Sequence, residues 1–201
     1  MRLLYFIIPF ICCNQLNAQD SAEPSFKRFG FQAGTNISNM DFNKGEPAPA
    51  VHIASAWKAG ISLGLLMRVP LGEKWLLQPE YNYTQRNGTD KSNGTTYKLD
   101  YFSMPVLLHY KINPLLSLYA GLQGELLLHA TSNSNGTKIN ITHDTEERSI
   151  AGVAGIELRI VRSFFLSARY LHGLNHIGIG QRSLVKEFKY ESAAITAGIH
   201  F

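Results

Sequence analysis

Apolar and polar residues alternate with a period of two along most of the chain. In Trp57–Val69, an apolar series from Ala59 to Val69 takes every second position, and the positions between are mostly polar or small. Trp75–Gln85 and Ser117–His129 repeat the pattern. A period of two is typical of a β-strand whose two faces meet different surroundings. The sequence therefore predicts strands rather than helices.

Eight segments carry this alternation. They are Phe29–Ser38, Trp57–Val69, Trp75–Gln85, Tyr97–Tyr110, Ser117–His129, Ser149–Ile160, Phe164–Leu171 and Phe188–Phe201. Each has roughly 8–14 residues, and a tilted strand needs about 9–11 residues to cross a bilayer. Tyr97–Tyr110 is the least regular because it contains Pro105, and proline is uncommon inside a paired strand. Its apolar face is expected to run from Phe102 to Tyr110.

The predicted connections alternate in length. The short ones are Pro70–Lys74, Lys111–Leu116 and Val161–Ser163, and the long ones are Asn39–Ala56, Arg86–Thr96, Ala130–Arg148 and His172–Glu187. This alternation is typical of an outer-membrane barrel with short periplasmic turns and longer external loops. The predicted fold is therefore all-β, an eight-stranded antiparallel up-and-down transmembrane β-barrel. An even number of strands places both termini on the periplasmic side.

The two faces of the predicted strands suit a membrane barrel. A soluble barrel also alternates, but its apolar face points inward. Here the apolar faces are long and continuous, as from Ile61 to Val69, which suits contact with lipid. The opposite faces carry the charged residues expected in the lumen, which are Arg68, Glu80, Glu125, Glu157, Arg159 and Arg169. Because an unpaired buried charge is costly, we expect these carboxylates and guanidinium groups to pair as a structural network.

Aromatic residues collect at the predicted strand ends. The set expected near the periplasmic rim is Trp75, Tyr110, Phe164 and Phe201. The set expected near the external rim is Trp57, Tyr83, Tyr97, Phe188 and Tyr190. Amphipathic rings favour the headgroup zones of a membrane, so two such girdles are expected of an outer-membrane barrel.

Residues 1–18 have the layout of a secretory signal peptide. Arg2 is followed by the apolar run Leu3–Cys13 and by a polar stretch that ends at Ala18. The run is too short to cross a bilayer as a helix, which needs about 20 residues. We predict cleavage after Ala18, a short periplasmic segment at 19–28 and a barrel domain at 29–201.

Both cysteines, Cys12 and Cys13, lie in the predicted signal peptide. The mature chain is therefore expected to hold no disulfide and no thiolate metal site. Acylation of either cysteine would make a lipoprotein, although bulky residues precede them. Removing Arg2 lowers the formal charge from +4 to +3, and so weak and dispersed a charge predicts no nucleic-acid partner.

Four segments resemble the PorT-like outer-membrane β-barrel family of the Bacteroidetes. They are FGFQAGTNISNM (Phe29–Met40), YFSMPVLLHYKI (Tyr101–Ile112), GVAGIELRI (Gly152–Ile160) and SARYLHGLNHI (Ser167–Ile177). The resemblance implies the barrel fold and an outer-membrane location, and it raises a role in protein secretion. Alternation from Ala193 to the terminal Phe201 resembles the signal that barrels present to the outer-membrane insertion machinery.

The residues indicate no catalytic, cofactor or metal site, and we predict that the protein is not an enzyme. The candidates for a Ser–His–carboxylate set are His129, His143, His172 and His176, with Ser132, Ser134, Asp144 and Glu146 nearby. A triad is recognised by geometry, and loops rich in Ser and Thr offer such residue types by chance. His172 and His176, four apart, would suit a metal on a helix, but this stretch is predicted as a strand end and loop.

The predicted function is that of an outer-membrane barrel with a closed, salt-bridged lumen. It would be structural or adhesive, or an accessory to a secretion or envelope complex, and the loops would carry recognition. The expected partners are outer-membrane lipid, the insertion machinery and a protein of such a complex. Two alternatives stay open: a small lipid-modifying enzyme of the outer membrane, and a secreted soluble barrel that binds an apolar ligand.

Overall fold

The computed structural model describes residues 27–45, 52–134, 136–180 and 186–201. The predicted signal peptide and most of segment 19–28 lie outside the described residues. The described strands are β1 (Phe29–Asp41), β2 (Ser55–Met67), β3 (Val69–Pro70), β4 (Trp75–Asp90), β5 (Thr95–Lys111), β6 (Leu116–Ser134), β7 (Thr137–Asn140), β8 (Arg148–Arg159), β9 (Phe164–Gly173), β10 (Ile177–Ile179) and β11 (Lys186–His200). Two short 3-10 helices lie at Phe42–Lys44 and Thr142–Asp144. In the described ranges, no helix is long and apolar enough to cross a bilayer.

Eight long strands form a closed antiparallel barrel in the order β1-β2-β4-β5-β6-β8-β9-β11. Closure is made by the antiparallel pairing of β1 with β11, from Gly30 opposite His200 to Asp41 opposite Lys189. Each wall strand pairs with the next along the chain, so the topology is up-and-down. The predicted fold class and all eight predicted segments are confirmed.

Pro105 lies inside β5 and is accommodated there. It lies opposite Gln123 on β6. On the other side of β5, the pairing with β4 passes from Pro79–Val106 to Asn82–Ser103 and omits Pro105. The missing N–H of the proline therefore falls where that ladder is interrupted.

The outer face of the wall is apolar, as predicted. Leu65, Leu122 and Ile195 are among the most exposed large side chains, at 57%, 61% and 63%. On β5, the outward positions from Tyr110 to Phe102 are apolar, and at about 3.3 Å per residue they cover about 26 Å of strand, which is about 20 Å of height at a tilt of about 40°. An apolar band about 25 Å tall is expected of an outer-membrane barrel.

The two ends of the barrel differ. At one end, here called the turn end, β4 follows β2, β6 follows β5 and β9 follows β8 through short turns, and the chain terminus Phe201 hydrogen-bonds Phe29. At the other end, called the loop end, the strands extend past the apolar band. The predicted long loop Arg86–Thr96 is wrong, because β4 continues to Asp90, β5 starts at Thr95 and a four-residue turn joins them. Gly94 in that turn has a φ of +69°, which glycine adopts without strain.

The predicted loop Ala130–Arg148 also contains strand structure. β6 continues to Ser134 and pairs with the returning strand β7, with Thr131 opposite Asn140 and Ser134 opposite Thr137. A long hairpin therefore projects from the loop end.

The interior of the loop end is apolar, which reverses the pattern of the rest of the lumen. The cluster that fills it is Met40, Phe42, Tyr97, Leu99, Tyr101, Ala130, Ala151, Ile177, Ile179, Phe188 and Tyr190. The prediction that Tyr97, Phe188 and Tyr190 belong to an outer girdle is therefore wrong. These strand extensions lie beyond the apolar band, where water replaces lipid outside, and apolar side chains then favour the interior.

The other predicted girdle residues lie on the outside. Trp75, Tyr110, Phe164 and Phe201 are exposed at the turn end, and the rings of Trp75 and Tyr110 pack 4.9 Å apart. Towards the loop end, Trp57 is exposed and Tyr83 is partly exposed on the outer face.

Candidate functional site

The lumen is filled with polar side chains between the turn end and the apolar cluster. These polar side chains come from alternate positions of the wall strands. Because successive side chains of a strand point to opposite faces, the leucines point outward and the polar side chains point inward. They form three levels along the barrel axis, each containing charged groups.

The middle level is built around Glu80 of β4. Arg169 of β9 binds it through two contacts, Nη1 to Oε2 at 2.9 Å and Nη2 to Oε1 at 3.2 Å. Gln32, Gln78 and Asn82 also donate side-chain hydrogen bonds to this carboxylate, at 2.7, 2.8 and 2.9 Å. Five hydrogen bonds therefore replace the water that the buried carboxylate loses.

The next level towards the loop end is built around Glu125 of β6. Arg86 Nη2 donates to Glu125 Oε1 at 2.6 Å, and Gln123 and Ser103 donate to the same oxygen at 2.6 and 3.0 Å. The Tyr190 hydroxyl donates to Oε2, and the Arg86 guanidinium lies 4.4 Å from the centre of the Tyr190 ring. This level joins the polar lumen to the apolar cluster above it.

Arg86 is not among the six predicted lumen residues, because the predicted loop Arg86–Thr96 begins at this position. Its position follows the even-numbered inward series Glu80, Asn82, Thr84, and the chain is still in β4 at this point. The alternation itself was the signal that could have found it.

The level at the turn end holds Arg68, Glu157 and Arg159. Arg68 and Glu157 are buried and Arg159 is half-buried, and the three lie close enough to interact electrostatically. His109 stacks on Tyr119 with ring centres 4.6 Å apart, and His200 stacks on Phe165 at 4.4 Å. Of the six predicted lumen residues, Arg169 and Glu80 bind each other, and Glu125 binds Arg86, which lies outside the predicted set. The other three lie together at this end.

The space left in the lumen is small. A cavity of about 20 Å³ lies beside Arg86, Arg169, Asn82, Gln123 and Ser192. A space of this size is on the order of that needed for a single water.

The histidines considered for catalysis lie at the loop end in separate settings. The His129 ring is 3.3 Å from the hydroxyl of Thr142, and His172 Nδ1 lies 3.5 Å from Glu191, a residue outside the candidate set. His143 is exposed in the second 3-10 helix, and His176 is half-buried. Within the described ranges, no group of three His, Cys, Asp or Glu side chains is arranged to hold a metal ion.

Glu191 also anchors the connection after β1. Lys44 Nζ donates to Glu191 Oε1 at 2.8 Å, and this hydrogen bond raises the pKa of Lys44. Because Lys44 is exposed to solvent, the pair contributes little to stability.

Solved structures with this fold share little sequence with the chain. Neisserial surface protein A (NspA) aligns with a TM-score of 0.54 and 13% identity over 86% of this chain and 97% of that one. The attachment invasion locus protein Ail of Yersinia pestis aligns with a TM-score of 0.52 and 17% identity over 88% of this chain and 100% of that one. The structure of Ail in complex with the heparin analogue sucrose octasulfate aligns with a TM-score of 0.50 and 16% identity over the same shares of the two chains.

These likenesses concern the fold. No match was found among curated proteins. Residues 17–178 match the family model of the outer membrane protein beta-barrel domain, and the chain is therefore a member of that family of outer-membrane β-barrel proteins.

Proposed function

We propose that this protein is a closed barrel that works through its outer surface and its loop end, as a structural, adhesive or accessory component of the cell envelope. The filled lumen carries this proposal. The Arg169–Glu80 and Arg86–Glu125 ion pairs both cross the interior, and the apolar cluster covers them at the loop end. A substrate path would need continuous space along the axis, whereas a rigid scaffold needs a packed interior.

The finer parts of the proposal come from the sequence. The PorT-like and Bacteroidetes affiliation and the link to a secretion or envelope complex rest on the resemblance of the four strand segments. Ail is named for attachment, and we extend attachment to this chain as part of the adhesive alternative. Engagement of the insertion machinery by the last strand and the absence of enzymatic activity stay predictions.

The closed lumen predicts that the wild-type protein gives no stable unitary conductance in planar bilayers. A fourfold variant with Arg86, Glu125, Glu80 and Arg169 changed to alanine removes both ion-pair levels, and we expect intermittent conductance from it. A gel run without boiling tests whether that variant is folded, since folded outer-membrane barrels resist SDS in the cold. Stable conductance of the wild type would contradict a closed lumen.

We also propose that the loop end is external and that both termini are periplasmic. Lys91 lies at the tip of the exposed turn between β4 and β5, and Lys74 lies in an exposed turn at the opposite end. Once the predicted signal peptide is removed, the chain has no cysteine of its own. A membrane-impermeant maleimide should therefore label Lys91→Cys but not Lys74→Cys in intact cells. The reverse result would invert the orientation.

A further inference from the structure

Three lysines converge on the outer wall at the loop end. Lys58 of β2, Lys98 of β5 and Lys138 of β7 line a groove of about 340 Å³, and its other lining residues are Ala59, Asn87, Thr96, Thr131 and Asn133. Lys58, Lys98 and Lys138 are here called the lysine patch. All three are exposed.

The strand register fixes two sides of this groove. Asn87, Lys98 and Thr131 lie opposite one another across β4, β5 and β6. One step nearer the loop tips, Thr96 lies opposite Asn133, which lies opposite Lys138. Paired strands therefore place Lys98 and Lys138, whereas Lys58 lies within the register shift between β2 and β4.

The positive charge of the patch is not balanced locally. In the described part of the chain, no ion pair joins any of the three ammonium groups to a carboxylate. Asp100 is near the lower edge of the groove, but it is buried and accepts a hydrogen bond from Gln85 at 3.2 Å. Three cations around one groove repel each other, and an anionic group between them removes that repulsion.

The patch lies beyond the apolar band and is separated from it by one polar level. Below Lys98, the next outward position of β5 is Asp100, and the outward positions then change to Phe102 and Met104. The neighbouring strand β6 presents exposed Leu126 and Leu128. A ligand that occupied both surfaces would carry negative charge at one end and hydrocarbon at the other. A lipid with a phosphorylated headgroup has that form, whereas an acidic peptide would leave the apolar surface below uncovered.

We propose that the lysine patch binds the phosphorylated saccharide headgroup of an outer-leaflet glycolipid, whose acyl chains lie against the apolar wall below. The threonines and asparagines of the groove would hydrogen-bond the sugar hydroxyls, and the ammonium groups would bind phosphate. This inference rests on the proposed orientation, since only an external loop end meets the outer leaflet.

Native mass spectrometry in a non-ionic detergent tests the patch with diphosphoryl lipid A as the probe. The variant Lys58→Gln/Lys98→Gln/Lys138→Gln should bind it on the order of a hundredfold more weakly than wild type, since each lysine at an anionic lipid surface contributes a factor of roughly five. The matched control is Arg28→Gln/Lys74→Gln/Arg162→Gln, which removes the same charge from exposed positions at the turn end. It should bind like wild type.

Two further lipids test whether the patch recognises both the phosphate and the sugar of the headgroup. Lipid A without phosphate should bind the wild type weakly, and phosphatidylglycerol, which has phosphate but no phosphorylated sugar, should bind it more weakly than lipid A. Equal binding of phosphatidylglycerol, or equal loss in the patch and control variants, would overturn the proposal. Because detergent gives access to both ends, this result does not depend on orientation, which the maleimide labelling tests separately.

Discussion

At the scale of single residues, the buried carboxylates of Glu80 and Glu125 are stable because each accepts hydrogen bonds from more than its ion-pair partner. Glu80 has three amide donors beside Arg169, and Glu125 has Gln123, Ser103 and Tyr190 beside Arg86. Removing one charge of such a pair leaves the other buried without compensation, which is more damaging than removing both.

This asymmetry predicts the behaviour of Arg86. Arg86→Met should lower the free energy of unfolding by about 3–5 kcal/mol, because the buried Glu125 loses its cation. Adding Glu125→Gln should recover most of that loss. Denaturant unfolding of the refolded protein in detergent micelles measures both, and Arg162→Met at an exposed turn should change stability by less than about 0.5 kcal/mol. A double variant as unstable as the single one would contradict the argument.

At the scale of strands, the sequence predicts the strands and the direction of their side chains wherever the surroundings of the wall are constant. Along the apolar band, lipid is outside and polar groups are inside, so period two reports both the strand and its direction. In the strand extensions, the period continues but the solvent outside changes, and Tyr97 and Tyr190 turn inward. Alternation indicates which side of the wall a residue faces, but it does not show where a strand leaves the membrane. The predicted outer girdle therefore includes Tyr97 and Tyr190, and the predicted loop Arg86–Thr96 begins before β4 ends.

On the outer face of β2 and β4, the stability cost of an arginine substitution should depend on its depth in the membrane. Leu63 is exposed on the apolar band, and an arginine there meets lipid, so Leu63→Arg should destabilise the folded barrel by about 2–4 kcal/mol in a bilayer. Thr89 is on the outer face of the β4 extension, and Thr89→Arg should cost about 0–1 kcal/mol. Unfolding in lipid vesicles measures both, and equal costs would contradict the assigned depth.

At the scale of the whole molecule, the barrel combines a membrane part with a projecting part. The turn end stops at the aromatic rim formed by Trp75 and Tyr110, whereas the loop end continues through β4, β5 and the β6–β7 hairpin. The projecting part has an apolar interior and a polar exterior, as a soluble barrel has. The apolar cluster thus closes the lumen and also supports the surface that carries the lysine patch.

The chain has two tryptophans, and each marks one boundary of the membrane part. Trp57 is 47% exposed on β2 towards the loop end, and Trp75 is 46% exposed on β4 at the turn end. Indole rings favour the membrane interface. In both Trp57→Phe and Trp75→Phe, lipids brominated near the headgroup end of their acyl chains should therefore strongly quench the fluorescence of the remaining tryptophan. Bromine near the chain ends should quench both weakly. Strong quenching of either one by the deep bromine would place that ring inside the bilayer, and the two rims would then not bound the apolar band.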